Sequence, residues 1–353
     1  MSPVFRVIDT GLRDGAANIA FDAALIEAHK AGAVPDTIRF LQFRPTALVG
    51  RHQALSQEIR LDYCAANGVG LARRITGGGA LYMDEGQFGF ELAFRRATLG
   101  LSDLGEVARA ICEAAAAGLQ KLGVAARYRP RNDIEVEGRK ISGTGGFFDG
   151  DTLFYQGTVL VDMDPSKMIA ALNVPAGKLA KRGLETAERR IVTLRELKPE
   201  TTARQVKAAL LEGFREKLGI DPRPGDITAH EESLARKLFD EEIGTEAFLR
   251  EIDAPEQEAG VVRGQVRSFG GEICAYLRFE GPRGERVREA LVTGDFFVTP
   301  PRVILDLEAA LRGVERSQLR AATLAFFAEA APGILSARPE DFAEALEAAA
   351  QTE

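Results

Sequence analysis

Glycines and fixed positive charges occur together in one short segment, a combination that suits a phosphate-binding loop. Arg73 and Arg74 precede three consecutive glycines, Gly77, Gly78 and Gly79. Consecutive glycines permit positive φ values and expose backbone N–H groups, which can form a concave nest for an anion. Arginine adds paired donors that match phosphate oxygens. The alternative is a glycine-rich hairpin whose arginines are solvated.

A second segment, residues 131–143, places a lysine at the start of a strand. Its alternation of apolar and charged residues predicts a hairpin formed by Ile134–Val136 and Lys140–Ser142. The Lys140 ammonium would bridge a carboxylate and an α-phosphate as charge develops in acyl transfer. The alternative is that Lys140 is an exposed hairpin lysine. Together, the two segments suggest a site for a phosphate-bearing ligand that derives from a carboxylic acid.

The ordered motifs of this chain resemble those of the lipoate-protein ligases and cover roughly residues 40–200. Several matches in the same order are more specific than any one motif alone. The matching motifs are Val49–Gln53, Arg73–Asp84, Arg131–Gly143, Gly157–Asp162, Lys178–Gly183 and Arg190–Leu197.

The resemblance implies an enzyme that uses MgATP to convert lipoate, or octanoate, into an acyl adenylate and pyrophosphate. The acyl group then passes to a lysine of a lipoyl carrier domain. The implied carriers are the E2 subunit of a 2-oxoacid dehydrogenase, the glycine-cleavage H protein or a sulfur-oxidation carrier. A closed pocket would protect the mixed anhydride from water. The alternatives are an ATP-independent octanoyl or lipoyl transferase between carriers, and a lipoyl-binding protein without activity.

The resemblance also implies roles for individual residues. Lys140 is the implied catalytic residue, in contact with the ligand carboxylate and the α-phosphate. Asp133, or alternatively Asp84, is implied to orient Mg²⁺ or the incoming amine. The implied contacts with the nucleotide and the acyl group are Arg74, Gly77, Gly78, Gly79, Ala80, Leu81, Tyr82, Asn132, Asp133, Lys140, Gly143, Gly157 and Thr158.

Two positions depart from the family pattern. Met83 and Gln156 stand where many members have histidine, and neither side chain titrates. Positioning and electrostatics, rather than a histidine base, must therefore carry the transfer step. Octanoyl transferases of this fold hold the acyl group on a cysteine thiol. No cysteine falls just after Thr158, where that thiol is expected, and Cys64 and Cys112 are predicted to be packed in the interior.

Composition fits an enzyme of a reducing compartment. Three cysteines argue against a disulfide framework, and the net charge of −7 opposes nucleic-acid binding. Neither a signal-peptide pattern nor an apolar run of membrane-spanning length is apparent, so we expect a cytoplasmic protein without nucleic-acid or membrane partners. Locally the charge reverses, because residues 121–146 hold six basic and three acidic side chains. This stretch would suit a phosphate site or an acidic carrier domain, or it is a solvated face.

The pattern predicts an α+β fold. A mixed or antiparallel sheet with flanking helices would form residues 1–252, which the resemblance implies are the catalytic domain. Residues 258–353 resemble the accessory domain of lipoate ligases and would form a small α+β domain. The marker of that second domain is Gly294–Phe297, with two packed phenylalanines, and two helical runs follow it. A turn is predicted at residues 221–226. Strands are predicted at Val4–Thr10, Thr37–Phe43, Ala47–Gly50, Leu81–Tyr82, Phe88–Phe94, Leu153–Asp162, Gly260–Phe269, Glu272–Phe279 and Arg286–Val292, and helices at Ala16–Gly32, Leu61–Asn67, Leu104–Leu122, Pro165–Leu172 and Ala203–Leu218.

Overall fold

The computed structural model describes residues 2–101, 103–173, 190–268 and 271–352. The predicted motif Lys178–Gly183 lies outside the described residues. Numbered along the chain, the described α-helices are α1 Gly15–Lys30, α2 Leu55–Glu58, α3 Leu61–Ala66, α4 Arg96–Leu99, α5 Leu104–Gln120, α6 Pro165–Ala171, α7 Leu194–Leu197, α8 Ala203–Leu218, α9 Ala229–Leu238, α10 Glu246–Leu249, α11 Val303–Ala310, α12 Leu319–Ala330 and α13 Pro339–Gln351. None of these combines the length and the apolarity that crossing a bilayer requires.

The strands follow the same numbering. They are β1 Val4–Arg13, β2 Thr37–Phe43, β3 Thr46–Val49, β4 Gly70–Arg73, β5 Leu81–Met83, β6 Gln87–Arg95, β7 Arg127–Arg129, β8 Asp133–Val136, β9 Arg139–Asp149, β10 Thr152–Leu160, β11 Asp221–Pro224, β12 Val262–Arg267, β13 Glu272–Glu280, β14 Arg286–Gly294, β15 Val298–Thr299 and β16 Gly333–Ile334.

The chain forms two compact units that interleave in sequence. Unit 1 comprises Met1–Leu48, Ile59–Arg73 and Leu81–Leu249, and unit 2 comprises Val49–Glu58, Arg74–Ala80 and Arg250–Glu353. The domain limits 1–252 and 258–353 stay a prediction. In the structure, however, two short segments of the N-terminal half belong to the same compact unit as the C-terminal part of the chain.

Unit 1 is built on a mixed sheet, which confirms the predicted fold class. Its eight strands lie in the order β11-β1-β2-β6-β10-β9-β8-β7. β1 pairs in parallel with β11 and β2, whereas the pairs from β2 to β7 are antiparallel. A small sheet, β4-β3-β5, completes the described strands of this unit.

Two helices of unit 1 pack with their backbones close together. Helix α5 begins at Asp103, whose carboxylate accepts from the first backbone N–H groups, and α8 begins with a capping box at Thr202. A Cβ atom at Gly118 would lie 2.5 Å from the Ala209 carbonyl oxygen, and one at Gly213 would lie 2.2 Å from that of Ala114. The two glycines therefore set how closely α5 and α8 approach.

A fully buried charge network lies between α1 and the sheet. The Arg39 guanidinium contacts Asp22 Oδ1 at 2.5 Å, Glu91 Oε2 at 2.9 Å, Asn18 Oδ1 at 2.8 Å and Thr10 Oγ1 at 3.0 Å. Arg39 is 0% exposed and its two acidic partners are 1% exposed. Burial raises the pKa of Asp22 and raises that of Glu91 well above its usual value, although the Arg39 charge opposes both shifts.

Unit 2 contains an antiparallel sheet, β12-β13-β14, against which helix α13 packs. A Cβ atom at Gly264 would lie 2.0 Å from the backbone nitrogen of Ala349, so this glycine lets the helix lie directly on the strand. Phe296 and Phe342 meet edge to face in the core, with ring centroids 5.0 Å apart. The predicted packing of Phe296 is thus confirmed.

Two predicted elements differ from the structure. The turn predicted at residues 221–226 contains strand β11, which pairs in parallel with β1. Prolines at positions 222 and 224 led to the prediction of a turn instead of a strand. Proline is tolerated in β11 because this strand lies at the sheet edge. At the C-terminus, three described helices replace the two predicted helical runs. Ala331 ends α12 in the left-handed conformation, so the chain turns before α13 begins.

Candidate functional site

The predicted hairpin that carries Lys140 is present in unit 1. Strands β8 and β9 pair antiparallel, and Glu137 and Gly138 form the turn with φ values of 52° and 79°. A register shift in this pair lies between Ile134 and Glu135. The Lys140 Nζ lies 2.8 Å from Asp133 Oδ1. The predicted hairpin, with Lys140 near the start of its second strand, is therefore confirmed.

Gly143 provides the space that the Lys140 ammonium occupies. A Cβ atom at Gly143 would lie 2.6 Å from Lys140 Nζ, closer than any real contact. Thr158 Oγ1 lies 3.5 Å from both the backbone nitrogen and the carbonyl oxygen of Gly143. Of the predicted site residues, Gly143 thus lies next to the lysine ammonium, and Thr158 lies next to Gly143.

Asp133 is an ionised acceptor rather than a base. Burial acts to raise the pKa of Asp133, but the charges of Lys140 and Arg129 outweigh it, and the pKa lies below its usual value. Its second oxygen accepts from Arg129 Nη2 at 2.6 Å. Each Asp133 oxygen contacts a cation of the chain, and the predicted Mg²⁺ role of Asp133 stays a prediction. In the part of the chain that the structure describes, no group of three or more His, Cys, Asp or Glu side chains could hold a metal ion.

One row of paired residues runs across the strands of the unit 1 sheet. This transverse row connects the polar groups around Lys140 with an apolar side chain. Residues opposite each other on neighbouring strands point to the same face. The pairings run from Asp133 to Gly143, across Thr158 to Gly89, and on to Leu41. The row therefore has ammonium and carboxylate groups at one end, a hydroxyl in the middle and a leucine at the other end.

Leu41 and Gly89 were missed by the sequence analysis. A Cβ atom at Gly89 would lie 2.7 Å from Leu41 Cδ2, so the leucine side chain leans over the glycine. Leu41 is buried. The available signal was a glycine inside the strand predicted at Phe88–Phe94, since glycine in a strand often marks a close approach.

Asn132 and Cys112 belong to a hydrogen-bonded network centred on Thr144. Asn132 Nδ2 donates to the Thr144 carbonyl oxygen, and Thr144 Oγ1 donates to that of Asn132 at 2.9 Å. Cys112 Sγ lies 3.2 Å from Thr144 Oγ1. Burial raises the pKa of the Cys112 thiol to about 12, as expected for an interior cysteine. The predicted role of Asn132 in a nucleotide pocket remains a prediction, with its amide nitrogen engaged here.

The cysteines are all interior. Cys64 and Cys274, like Cys112, are buried and reduced. Burial is the largest influence on each thiol, and it raises the pKa of both Cys64 and Cys274. The predicted packing of Cys64 and Cys112 is confirmed.

Gly157 is open to the side of the sheet opposite to that of Thr158 and the Lys140 ammonium. A Cβ atom at Gly157 would lie 2.3 Å from Phe90 Cζ, and the Phe90 ring packs on Phe214 with centroids 5.6 Å apart. In the Gly157-Thr158 pair, alternation along the strand therefore turns Thr158 toward Gly143. A direct ligand contact by Gly157 stays a prediction.

In unit 2, the glycine loop is organised around Arg74. Arg74 is 4% exposed, and its Nη2 donates to the carbonyl oxygens of Gly77, Gly78 and Gly79 at 3.0, 3.3 and 2.9 Å. The loop thus differs from the predicted nest, because its carbonyl groups converge on a cation. Arg74 holds the loop in shape, and its predicted contact with the adenylate stays a prediction.

The glycine loop also packs against the Gly294–Phe297 segment of the same unit. Gly78 N donates to the Phe296 carbonyl oxygen at 3.0 Å, and a Cβ atom at Gly78 would lie 2.4 Å from Phe297 Cζ. Asp295 Oδ1 accepts from Gln53 Nε2 at 2.6 Å. One N–H group of the predicted nest is therefore already donated within unit 2.

The remaining predicted residues divide between the units. Ala80 belongs to unit 2, whereas Leu81 and Tyr82 lie in β5 of unit 1. Asp84 Oδ1 accepts from Gly86 N at 2.9 Å and so stabilises the turn after β5. Burial is the main cause that raises the pKa of Asp84 above its usual value. An Mg²⁺ or amine role for Asp84 stays a prediction.

Ser142 provides a first test of this part of the structure. It is buried, and its Oγ atom has no hydrogen-bond partner among the described residues. By alternation, Ser142 shares a face with Thr144, which contacts Cys112 of α5. Ser142→Ala is expected to leave the free energy of unfolding unchanged or raise it by up to about 1 kcal/mol, because an unsatisfied buried hydroxyl is removed. Urea denaturation measures this free energy. A decrease of more than about 1 kcal/mol would contradict the absence of a hydrogen-bond partner for the Ser142 hydroxyl.

Comparison with known proteins identifies the family. Residues 14–215 match the family described as the lipoyl protein ligase A/B catalytic domain. The octanoyltransferase LipM of Kyrpidia tusciae is 31% identical over 260 residues, which cover 67% of this chain and 94% of that protein. Lipoate-protein ligase A subunit 1 of Thermoplasma acidophilum is 31% identical over 241 residues, which cover 65% of this chain and 90% of that protein.

A solved structure agrees with the sequence comparisons. It contains a bi-partite lipoate protein ligase and its E2 lipoyl domain from Thermoplasma acidophilum, and it is 29% identical to this chain with a TM-score of 0.64. The match covers 71% of this chain and 97% of the solved chain. The family assignment made from the ordered motifs is thus confirmed: the chain belongs to the lipoyl protein ligase A/B catalytic domain family.

Proposed function

We propose that this protein is an ATP-dependent lipoate-protein ligase. It converts lipoate, or octanoate, into an acyl adenylate and transfers the acyl group to a lysine of a lipoyl carrier domain. The observation that carries the proposal is the transverse row of unit 1, in which the Lys140 ammonium and the Thr158 hydroxyl precede Leu41. This order of groups suits an acid with a charged head and an apolar chain.

The dimensions of the row support a medium-length acyl chain. Strands β9 and β2 are separated by three strand spacings, about 14 Å. In the proposed pose, the carboxylate lies near Lys140 and the chain runs over Thr158 toward Leu41. The space above Gly143 holds the Lys140 ammonium and the space above Gly89 holds the Leu41 side chain, so in this pose the acid lies against both groups.

The chemistry assigned to the chain's own residues is electrostatic. A carboxylate oxygen of the acid attacks the α-phosphorus of ATP, the bond to pyrophosphate breaks, and the Lys140 ammonium stabilises the charge on the reacting oxygens. In the second step the carrier lysine attacks the acyl carbon and AMP leaves. Asp133 orients Lys140 and remains ionised, so the amine proton leaves to solvent in this proposal.

The burial of the cysteines supports a ligase rather than an acyltransferase with a cysteine-bound acyl group. The family includes octanoyltransferases, so an ATP-independent transfer between carriers is the second candidate. A thiol acyl carrier must be accessible and easily ionised. All three cysteines here are buried, and burial raises the pKa of each. This favours the adenylate route.

Mass spectrometry of an apo lipoyl carrier domain tests the proposed function. The domain is incubated with the protein and lipoate, with and without MgATP, and in parallel with an octanoyl-loaded carrier protein without ATP. We expect a gain of one lipoyl group only when ATP is present. Transfer from the loaded carrier without ATP would replace the ligase by the transferase.

The acceptor is tested with the same assay. The candidate carriers are a 2-oxoacid dehydrogenase E2 domain, a glycine-cleavage H protein and a sulfur-oxidation carrier, all in the cytoplasm in this proposal. Running them side by side at equal concentration gives their relative kcat/KM values. The carrier with the highest value is the assigned partner.

A further inference from the structure

Lys140 leans out of its own position in the sheet. By register it lies opposite Glu135, which in turn pairs with Arg127 on the edge strand β7. Its ammonium nevertheless lies over Gly143 and contacts Asp133, in the neighbouring transverse row. The ammonium therefore lies over Gly143, whose backbone is 3.5 Å from Thr158 Oγ1. Whatever holds Asp133 in place therefore also decides where the Lys140 ammonium lies.

Arg129 holds Asp133 from the opposite side. The two residues are paired across β7 and β8, and Arg129 Nη2 lies 2.6 Å from Asp133 Oδ2, while Lys140 Nζ lies 2.8 Å from Oδ1. Arg129 Nη1 also donates to Glu135 Oε2 at 3.3 Å. Arg129 thus fixes both the position and the rotation of the Asp133 carboxylate. Neither the motifs nor the resemblance assigned Arg129 any role.

The charges of the cluster leave a surplus cation. Arg127, Arg129 and Lys140 are three positive groups, and Asp133 and Glu135 are two negative groups, so the sum is +1. Without Arg129 the sum is zero, and Asp133 would have Lys140 as its cationic partner in the cluster. An ammonium that is matched one to one with a carboxylate binds a second carboxylate less well.

We propose that Arg129 is a positioning residue that shares Asp133 with Lys140 and thereby keeps the ammonium in place, without a carboxylate of its own, for the carboxylate of the acid substrate. This inference rests on the proposed function, in which Lys140 contacts that carboxylate. Arg129 need not touch the substrate itself. It acts through Asp133, from the sheet edge.

Arg127 provides a matched control. It lies two residues away on the same strand, is also paired with a carboxylate, and carries the same charge. However, Arg127 contacts Glu135, and its ion pair does not include Asp133. A comparison of Arg129→Gln with Arg127→Gln therefore separates the shared Asp133 contact from the loss of one positive charge.

Calorimetric titration of the full chain with lipoate, without ATP, tests the proposal. We expect Arg129→Gln to weaken lipoate binding about three- to tenfold, Arg127→Gln to change it less than about twofold, and Arg129→Lys to recover most of the affinity. Thermal unfolding of each variant checks that the fold is retained. Equal affinity in wild type and Arg129→Gln, equal losses in both glutamine variants, or no lipoate binding by wild type would each overturn the proposal.

Pyrophosphate exchange, measured on the same proteins, keeps the two proposals apart. If the wild-type protein binds lipoate but shows no lipoate-dependent exchange, the ligase proposal is contradicted. The binding comparison would still test the positioning role of Arg129. Conversely, normal exchange together with unchanged KM for lipoate in Arg129→Gln would remove only the role of Arg129.

Discussion

Replacing Lys140 by alanine is expected to lower the rate of acyl-adenylate formation by about 10²–10³-fold, the usual cost of losing one group that stabilises developing charge. The fold should survive, because the side chain is 36% exposed and its ion pair with Asp133 contributes little stability. Asp133 also keeps its second partner, Arg129. Lipoate-dependent exchange of labelled pyrophosphate into ATP measures the effect directly.

Lys30 supplies the control for that experiment. Its side chain is 35% exposed and also contacts a carboxylate, that of Asp149 at 2.7 Å, but it lies outside the transverse row. Lys30→Ala should leave the exchange rate within about twofold of wild type. Exchange at the wild-type rate in Lys140→Ala would remove Lys140 from the reaction, whatever the acceptor assays had found.

Arg39→Met is expected to have the largest effect on stability. The change removes the cation that Asp22 and Glu91 share in the interior, so at least one buried carboxylate loses its partner. Breaking a buried ion pair in this way costs about 3–5 kcal/mol. Urea denaturation near neutral pH should show this loss. A loss below 1 kcal/mol would mean that the network is not closed to water.

The same network predicts a pH dependence. The folded pKa of Glu91 is raised, so its contribution to stability is complete below the usual glutamate range and is lost as pH rises toward the folded pKa. Glu91→Gln keeps the shape and removes this titration. Its free energy of unfolding should therefore fall less than that of wild type between pH 5 and pH 8. If the free energy of unfolding changed equally with pH in the two proteins, the raised pKa of Glu91 would be contradicted.

Local patterns predicted most elements of the fold. Helix α5 follows from its apolar periodicity, and the hairpin with Lys140 follows from alternation and from the Glu137-Gly138 turn. These features depend on neighbours within a few residues of each other. The edge strand β11 was missed because its prolines resemble a turn, and only pairing with β1 distinguishes the two.

The candidate site was predictable only in part. Lys140, Asp133 and Thr158 carry recognisable chemistry in recognisable motifs. Leu41 joins them through the register of strands far apart in sequence, which no local pattern encodes. Similarly, Gly157 is a motif residue, but the motif does not say which face of the sheet the residue is open to. In the structure, the Phe90 ring covers that face.

The interleaving of the two units has a consequence for dividing the polypeptide. A fragment that ends at Leu249 would contain the segments Val49–Glu58 and Arg74–Ala80, but not the backbone groups to which they bond. Leu55 would lose the Ile252 carbonyl oxygen, and Gly78 would lose that of Phe296. The missing strands and helices would have to be supplied by a second polypeptide. A split version of this protein should therefore work only by complementation in trans, with the two fragments completing a shared fold rather than joining as finished domains.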